Sequence, residues 1–271
     1  MNRIDARFAE LKKKKEKALV GFVVAGDPSI SASLEIIMAM CQAGLDILEL
    51  GIPFSDPTAD GPIIQRASAR ALKNGASLVK ALEMIATIRK GIKIPIILFS
   101  YYNPIFAYGL RSFYRDAVTA GADGVLVVDL PCEESGELTD CWERDNEFAL
   151  IRLVAPTTLG DRMKKIAGHA SGFLYLVSKT GVTGSAGLDV GAVRDHVADL
   201  RGFTKLPVCV GFGITNPNDA GSLVPYADGV VIGSTFERII EENLNSPDLI
   251  KRLEEQVRNY KAAMYASPRR D

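Results

Sequence analysis

Residues 46–61 of the chain are Asp46-Ile47-Leu48-Glu49-Leu50-Gly51-Ile52-Pro53-Phe54-Ser55-Asp56-Pro57-Thr58-Ala59-Asp60-Gly61. The first five predict a short buried strand that carries one acid, Glu49, near its end, and the loop after it carries a second acid, Asp60. Substrates of parallel α/β proteins bind at the carboxyl ends of the strands. Two carboxylates there suggest proton transfer, although an isolated glutamate more often caps loop amides.

Apolar, β-branched runs of this kind recur along the whole chain. Each is nearly continuous in apolar residues, which is typical of parallel strands buried on both faces. Eight strands are predicted, near Leu19–Val24, Asp46–Leu50, Ile94–Phe99, Gly124–Val128, Phe148–Val154, Gly172–Val177, Pro207–Val210 and Gly229–Ile232. Helical patterns lie between them, at Ser31–Ala43, Ser77–Lys90, Gly109–Ala120, Glu133–Asn146, Asp161–Ala170 and Asp189–Leu200.

This alternation predicts an α/β fold, a single (β/α)8 TIM barrel that occupies residues 1–271 as one domain. A doubly wound sheet is the main competitor, but such sheets rarely need eight consecutive units. A helix over Ile4–Lys15 is expected to plug the bottom of the barrel. Extra helices are predicted in the loops after strands 2 and 8, over Gly61–Asn74 and Thr235–Glu242, and Pro247–Ala263 predicts the final helix.

Composition narrows the class of protein. The formal net charge of −1 argues against nucleic acid or an anionic membrane surface as a partner. The four cysteines show no CxxC spacing and indicate reduced thiols. The basic residues Lys12–Lys15 precede the apolar run Ala18–Ala25, but nearby acids and the early end of that run argue against a signal peptide. The sequence therefore predicts a soluble, cytoplasmic protein.

Glycines gather after the last three predicted strands, as Gly181-Val182-Thr183-Gly184-Ser185-Ala186-Gly187, Gly211-Phe212-Gly213 and Gly233-Ser234-Thr235. A single glycine-rich loop is common in turns and by itself is weak evidence for ligand binding. Together, at positions where barrels often bind phosphate, they predict a cradle of backbone N–H groups without a Lys or Arg clamp.

Aromatic residues lie near the ends of several predicted strands, namely Phe22, Phe99, Tyr175 and Phe212. Filling of the barrel core is the commoner role of such side chains. At the rim they would instead form a flat apolar slot beside the acids. The implied substrate has a phosphate, an aromatic-sized apolar part and a group that exchanges protons.

The stretch Leu48–Pro62 resembles the signature around both catalytic acids of the tryptophan synthase alpha subunit family. The blocks Phe22–Asp27, Tyr101-Tyr102-Asn103, Thr180–Gly184 and Gly211-Phe212-Gly213 are similar to that family as well. They follow in the family's order over essentially the whole chain. The signature loop is specific, whereas the glycine motifs alone would suit other phosphate-binding barrels.

The resemblance implies the retro-aldol cleavage of indole-3-glycerol phosphate to indole and glyceraldehyde 3-phosphate. It implies that Glu49 is the general acid–base group and that Asp60 pairs with the indole N–H. Tyr175 and Thr183 match supporting residues. The phosphate cradle matches Gly184, Gly213, Gly233 and Ser234, and the indole-pocket lining matches Phe22, Phe99, Leu126, Val128, Leu153, Phe212 and Val231.

The resemblance also implies a beta-subunit partner in an α2β2 heterotetramer, to which indole passes. No cofactor is expected in this chain, and pyridoxal phosphate is expected only in the beta partner. No metal is expected, because His169 and His196 are isolated in helical patterns. The partner is expected to dock over the loops Pro53–Asp60 and Tyr101–Gly109, the second of which is unusually apolar for an exposed segment.

Three positions depart from the family pattern or lack an account. Lys179 stands where many relatives carry Arg, and the loop after the sixth predicted strand continues Ser185-Ala186-Gly187. The rate at which this loop closes over the site could therefore differ. Arg152 in the fifth strand has no clear role, and a stem packed among the outer helices is favoured over substrate contact.

The residues alone, without the resemblance, leave other functions open. Another phosphate-binding barrel, such as a sugar-phosphate isomerase or a different aldolase, would need no aromatic slot. A catalytically idle subunit that regulates a partner would not need both Glu49 and Asp60. A stand-alone indole-3-glycerol-phosphate lyase would release indole without any partner.

Overall fold

The computed structural model of the chain describes residues 2–142, 147–178 and 188–266. Among them, eight parallel strands close into a barrel in chain order, and the last strand pairs with the first. The strands are β1 Ala18–Val24, β2 Ile47–Gly51, β3 Ile96–Ser100, β4 Gly124–Val127, β5 Ala149–Val154, β6 Leu174–Val177, β7 Val208–Gly211 and β8 Gly229–Ile232. The predicted (β/α)8 barrel is confirmed.

Helices surround this barrel in the described ranges. They are α1 Arg3–Lys14, α2 Ile30–Ala43, α3 Pro62–Lys73, α4 Leu78–Ile88, α5 Tyr102–Tyr108, α6 Leu110–Ala120, α7 Gly136–Thr139, α8 Gly160–Gly168, α9 Val190–Arg201, α10 Pro217–Leu223, α11 Ser234–Glu242 and α12 Leu249–Ala266. None of these helices is long and apolar enough to cross a membrane. The extra helices predicted after strands 2 and 8 are α3 and α11.

Helix α1 closes the bottom of the barrel through two buried acids at the starts of strands. Arg7 binds Asp46 at 2.5 Å, and Arg3 binds Asp123 at 2.8 Å. Each acid also accepts a backbone N–H from the neighbouring strand region, at Leu19 for the first and Ile96 for the second. These pairs satisfy carboxylates that would otherwise be costly to bury.

Three helical segments differ from the sequence expectation. The helix predicted over Glu133–Asn146 is, in its described part, only α7, and the Ser135 hydroxyl just before it donates to the carbonyl of Cys132, a local side-chain bond that competes with helix formation. The segment expected as the loop Tyr101–Gly109 contains helix α5. Helix α10 begins with Pro217 at its first position, a start signal that the sequence patterns above did not use.

Candidate active site

Glu49 lies on β2 inside the barrel and is 1% exposed. Its neighbours in register are Phe22 on β1 and Ile97 on β3. Neither carboxyl oxygen has a hydrogen-bond partner among the described residues. Burial raises the pKa of Glu49 to about 8, so the side chain holds a proton at neutral pH in the free protein. A carboxyl with a pKa near neutral pH can give a proton in its protonated form and take one back as the carboxylate.

Asp60 lies on the loop after β2 and is held by the strand next to it. The phenol of Tyr101, directly after β3, donates to Asp60 Oδ2 at 3.1 Å and accepts from the backbone N–H of Ala59 at 2.9 Å. Burial raises the pKa of Asp60 to about 6, although the Tyr101 hydrogen bond opposes that shift. Asp60 is therefore ionised at neutral pH while Glu49 is protonated.

Tyr175 on β6 is the third predicted catalytic residue and is 4% exposed. Burial raises the pKa of its phenol well above the usual value, and the nearby Glu49 carboxyl adds to the shift. A Cβ at Gly211 on β7 would lie 2.2 Å from the Tyr175 hydroxyl oxygen. Glycine at that position therefore leaves the space that the phenol occupies.

The predicted pocket residues other than Phe212 lie in one apolar cluster within the barrel, with Val128 and Leu153 partly buried at its edge. Phe22 and Phe99 meet edge to face, with ring centroids 5.1 Å apart. The described cluster also contains Leu126, Tyr175 and Val231 among its buried members, with Val128 and Leu153 packed against it. The same side chains therefore fill the barrel core and line the predicted substrate slot.

Phe212 differs from the other aromatic residues because it is 41% exposed. Its φ is +71°, in the left-handed region that a bulky residue rarely adopts. The Ser178 hydroxyl donates to the carbonyls of Gly211 and Phe212, and the Phe212 ring packs edge to face on Tyr175 with centroids 5.9 Å apart. Backbone strain of this kind directly after a strand suggests a functional position.

The loops after β7 and β8 lie side by side at the same end of the barrel. Gly213 has a φ of +77°, and Gly233 caps α11, which starts at Ser234. The Thr235 hydroxyl on α11 donates to the carbonyl of Thr215 on the first loop at 3.4 Å. A Cβ at Gly233 would lie 3.2 Å from Phe22. The predicted phosphate cradle thus adjoins the predicted aromatic slot.

Part of the predicted site lies outside the described residues. Thr183 and Gly184 fall there, together with Lys179 and Ser185. Their predicted roles stay predictions based on the resemblance.

Arg152 is buried and points away from the barrel interior that holds the acids. Its guanidinium donates to the carbonyls of Leu130 at 3.0 Å and His169 at 3.4 Å. It therefore joins the loop after β4 to the end of α8, in agreement with the expected packing among the outer elements. In the described part of the chain, no three His, Cys, Asp or Glu side chains cluster as a metal site requires.

Comparison with known proteins decides the family. The family model for the tryptophan synthase alpha chain matches residues 8–265. The chain belongs to the tryptophan synthase alpha chain family. It is 63% identical over 263 residues to the tryptophan synthase alpha chain of Desulfosudis oleivorans, covering 97% of this chain and 99% of that one. The corresponding chain of Desulfatibacillum aliphaticivorans is 61% identical over 263 residues, with the same coverage.

A solved structure agrees in fold. The tryptophan synthase alpha subunit of Legionella pneumophila str. Paris superposes with a TM-score of 0.90 at 37% identity, covering 98% of this chain and 99% of that chain. Membership of the tryptophan synthase alpha chain family makes the chain a lyase of tryptophan biosynthesis that cleaves indole-3-glycerol phosphate. The predicted family, fold, function and enzyme class are confirmed.

Within the site, Tyr101 is a residue to which the sequence patterns assign no catalytic role. Its signals are its place directly after β3 and its membership in the block Tyr101-Tyr102-Asn103 that resembles the family. The ion pairs of Asp27, Arg70 and Glu241 were not singled out either. Their partners lie 43 and 171 positions apart in sequence, so local patterns could not have paired them.

Proposed function

We propose that Glu49 is the proton shuttle of the cleavage of indole-3-glycerol phosphate to indole and glyceraldehyde 3-phosphate. The observation that carries this role is a buried carboxyl without a partner whose pKa lies at about 8. Glu49 starts protonated and gives its proton to ring carbon C3. It then takes the proton of the hydroxyl next to the breaking bond, so that the aldehyde forms and the shuttle returns to its initial state.

Asp60 is proposed to stabilise the charge that this step creates. Protonation of C3 removes the aromaticity of the ring and leaves positive charge at the indole nitrogen. An ionised carboxylate that accepts the N–H stabilises that charge where it develops. The Tyr101 hydrogen bond and the raised but still acidic pKa of Asp60, about 6, support this assignment.

The remaining predicted site residues are proposed to hold the two ends of the substrate. Phe22, Phe99, Leu126, Leu153, Phe212 and Val231 contact the indole, with Tyr175 beside Glu49. Backbone N–H groups near Gly213, Gly233 and Ser234 bind the phosphate, aided by the start of α11. Thr183 and Gly184 complete the set by resemblance alone.

We propose a beta-subunit partner in an α2β2 assembly, with pyridoxal phosphate only in that partner and no cofactor in this chain. The family name supports the partner, because an alpha chain implies a second chain. The proposed docking surface comprises Pro53–Asp60 and helix α5. Phe106 on α5 is 56% exposed, whereas Ile105 is buried in the hydrophobic core, so only part of the apolar segment is free. The chain is proposed to act as one cytoplasmic domain over residues 1–271.

Indole release from indole-3-glycerol phosphate, measured with and without a tryptophan synthase beta subunit, tests this function. Release that rises with the partner, together with a complex in size-exclusion chromatography, supports the full account. Release that the partner does not change would leave a stand-alone lyase. Turnover of an open-chain sugar phosphate in place of indole-3-glycerol phosphate would favour another phosphate-binding barrel.

A further inference from the structure

An ionic network joins the helix that follows Asp60 to the helix that begins at the proposed phosphate cradle. Its members are Asp27 after β1, Arg66 and Arg70 on α3, and Glu237 and Glu241 on α11. We refer to these five side chains as the α3–α11 network. None of them belongs to the proposed catalytic or phosphate-binding groups.

Helix α3 fixes the backbone of Asp60. Gly61 caps the helix directly after Asp60, and Gln65 in the first turn donates its side-chain amide to the Asp60 carbonyl at 2.9 Å. The backbone N–H of Gln65 bonds the Gly61 carbonyl at 3.0 Å. A shift or tilt of α3 therefore moves Asp60 with it.

Glu241, in the last turn of α11, binds both arginines of α3. Arg66 donates Nε and Nη2 to the two carboxylate oxygens at 2.7 Å each, and Arg70 donates Nη1 at 2.7 Å. Hydrogen bonds from Arg66 are the main cause that lowers the pKa of Glu241 to about 2. A two-pronged guanidinium–carboxylate pair fixes orientation as well as distance.

Arg70 also anchors this pair to the barrel. It holds Asp27 with two bonds of 2.9 and 2.7 Å, and Asp27 is 1% exposed. Glu237 on α11 accepts the backbone N–H of Val24 at 2.6 Å and is fully buried. Burial raises the pKa of Glu237 well above its ordinary value, so the buried charge pair here is Arg70–Asp27. A buried ion pair contributes little net stability relative to apolar packing, so a geometric role is the more informative explanation for it.

We propose that Glu241, Arg66 and Arg70 are positioning residues that couple phosphate binding at the start of α11 to the placement of Asp60 by α3. This inference rests on the proposed function, because it takes the phosphate to bind at Gly233 and Ser234. Phosphate would fix α11 at its first turn, the ion pairs in its last turn would fix α3, and α3 would set Asp60 beside the indole nitrogen. Part of the binding energy of the remote phosphate would then be used to place Asp60 and would raise kcat.

Supplying the substrate as two separate molecules, indole-3-glycerol and inorganic phosphate, distinguishes this coupling from a change in phosphate affinity. Indole release from indole-3-glycerol, which lacks the phosphate, is measured against increasing inorganic phosphate. The wild-type protein is expected to be activated. In Glu241→Ala the activation factor is expected to fall about fivefold or more, the usual lower range of coupling between sites. Because the phosphate cradle itself is intact, KM for indole-3-glycerol phosphate should change little while kcat falls.

The chain offers a matched control and a second variant. Glu242→Ala removes the adjacent exposed glutamate, for which the described residues show no ion pair, and should leave activation unchanged. Arg66→Met alters a half-exposed side chain, so folding is not at risk, and should reduce activation in the same direction as Glu241→Ala. The double variant should be no worse than Glu241→Ala alone, since both changes break one link.

The outcomes distinguish this proposal from the proposed function. Equal activation in wild type, Glu241→Ala and Arg66→Met would overturn the coupling while cleavage of indole-3-glycerol phosphate stands. Absence of phosphate activation in the wild type would overturn it as well. Failure of the wild type to release indole from indole-3-glycerol phosphate would instead contradict the proposed function.

Discussion

The phenol of Tyr101 donates a hydrogen bond to the Asp60 carboxylate across 3.1 Å, from the end of β3 to the loop after β2. The same oxygen accepts the Ala59 N–H at 2.9 Å, so one side chain holds both the carboxylate and the backbone beside it. The rigid barrel thereby positions an acid that lies on a loop. This contact also stabilises the charged form of Asp60.

Tyr101→Phe is expected to raise the pKa of Asp60 above its present value of about 6, because the hydrogen bond that favours the carboxylate is lost. At a pH near 6.5, kcat/KM should fall roughly 10–100-fold, in line with the loss of a hydrogen bond to a charged group. Tyr102→Phe is the matched control, since that hydroxyl bonds Glu137 instead. Equal rates for the two variants would contradict the role of Tyr101.

The pH profile of kcat/KM should be bell-shaped. Asp60 must be ionised, so activity falls as the pH drops through about 6. Glu49 must begin protonated, so activity falls as the pH rises through about 8. Because kcat/KM reports the free enzyme, these are the relevant pKa values. Asp60→Asn should abolish the acidic limb of any residual activity. A rate that keeps rising above pH 9 would contradict the assignment of Glu49.

Gly211→Ala should displace Tyr175, because the new Cβ would lie 2.2 Å from its hydroxyl oxygen and 2.6 Å from its Cζ. The ring is buried and must shift against its neighbours, so we expect about 1–3 kcal/mol of destabilisation, together with a loss of activity. Gly168→Ala, where nothing lies within 4 Å, is the control and should be nearly neutral. Thermal unfolding and indole release measure the two effects.

Stability should depend on pH through Glu49. Its pKa is raised from 4.5 to about 8 by folding, so the folded state binds the proton more tightly. The associated stability is fully present below about pH 4.5 and is lost as the pH rises through about 8. The amide of Glu49→Gln does not titrate, so this variant does not lose stability in this way. The difference in the free energy of unfolding between the variant and the wild type should therefore grow in favour of the variant by roughly 2–5 kcal/mol between pH 5 and 9. A constant difference in denaturant unfolding across this range would contradict the shifted pKa.

The barrel could be predicted because each of its strands is a short apolar run with its own local signal. Strand ends agree with the sequence pattern to within two residues, and the helix expected over Ile4–Lys15 is α1. Helix α5 was missed because its apolar residues suggested an exposed loop, whereas Ile105 packs into the core and Phe106 remains outside. Local patterns do not show which side of a short segment tertiary packing will cover.

Glu49 could be singled out for a similar reason, since a carboxyl at the end of an apolar strand conflicts with burial, and Asp60 could be singled out because it lies in the loop that follows the same strand. Their different protonation states could not be derived from sequence. They depend on the unpartnered position of Glu49 and on the hydroxyl of Tyr101, which is distant from Asp60 in the chain. The contacts between α3 and α11 likewise depend on the closure of the barrel between its first and last strands.

The most direct test of the account is the kcat of Glu49→Gln for indole release from indole-3-glycerol phosphate, measured on folded protein beside the wild type. The amide keeps the size of the side chain and removes its acid–base function. We predict a kcat lower by about 10²–10⁴-fold, with KM changed only slightly, as expected for loss of a proton-transfer group. A variant with near-normal kcat would contradict the assignment of Glu49 as the proton shuttle.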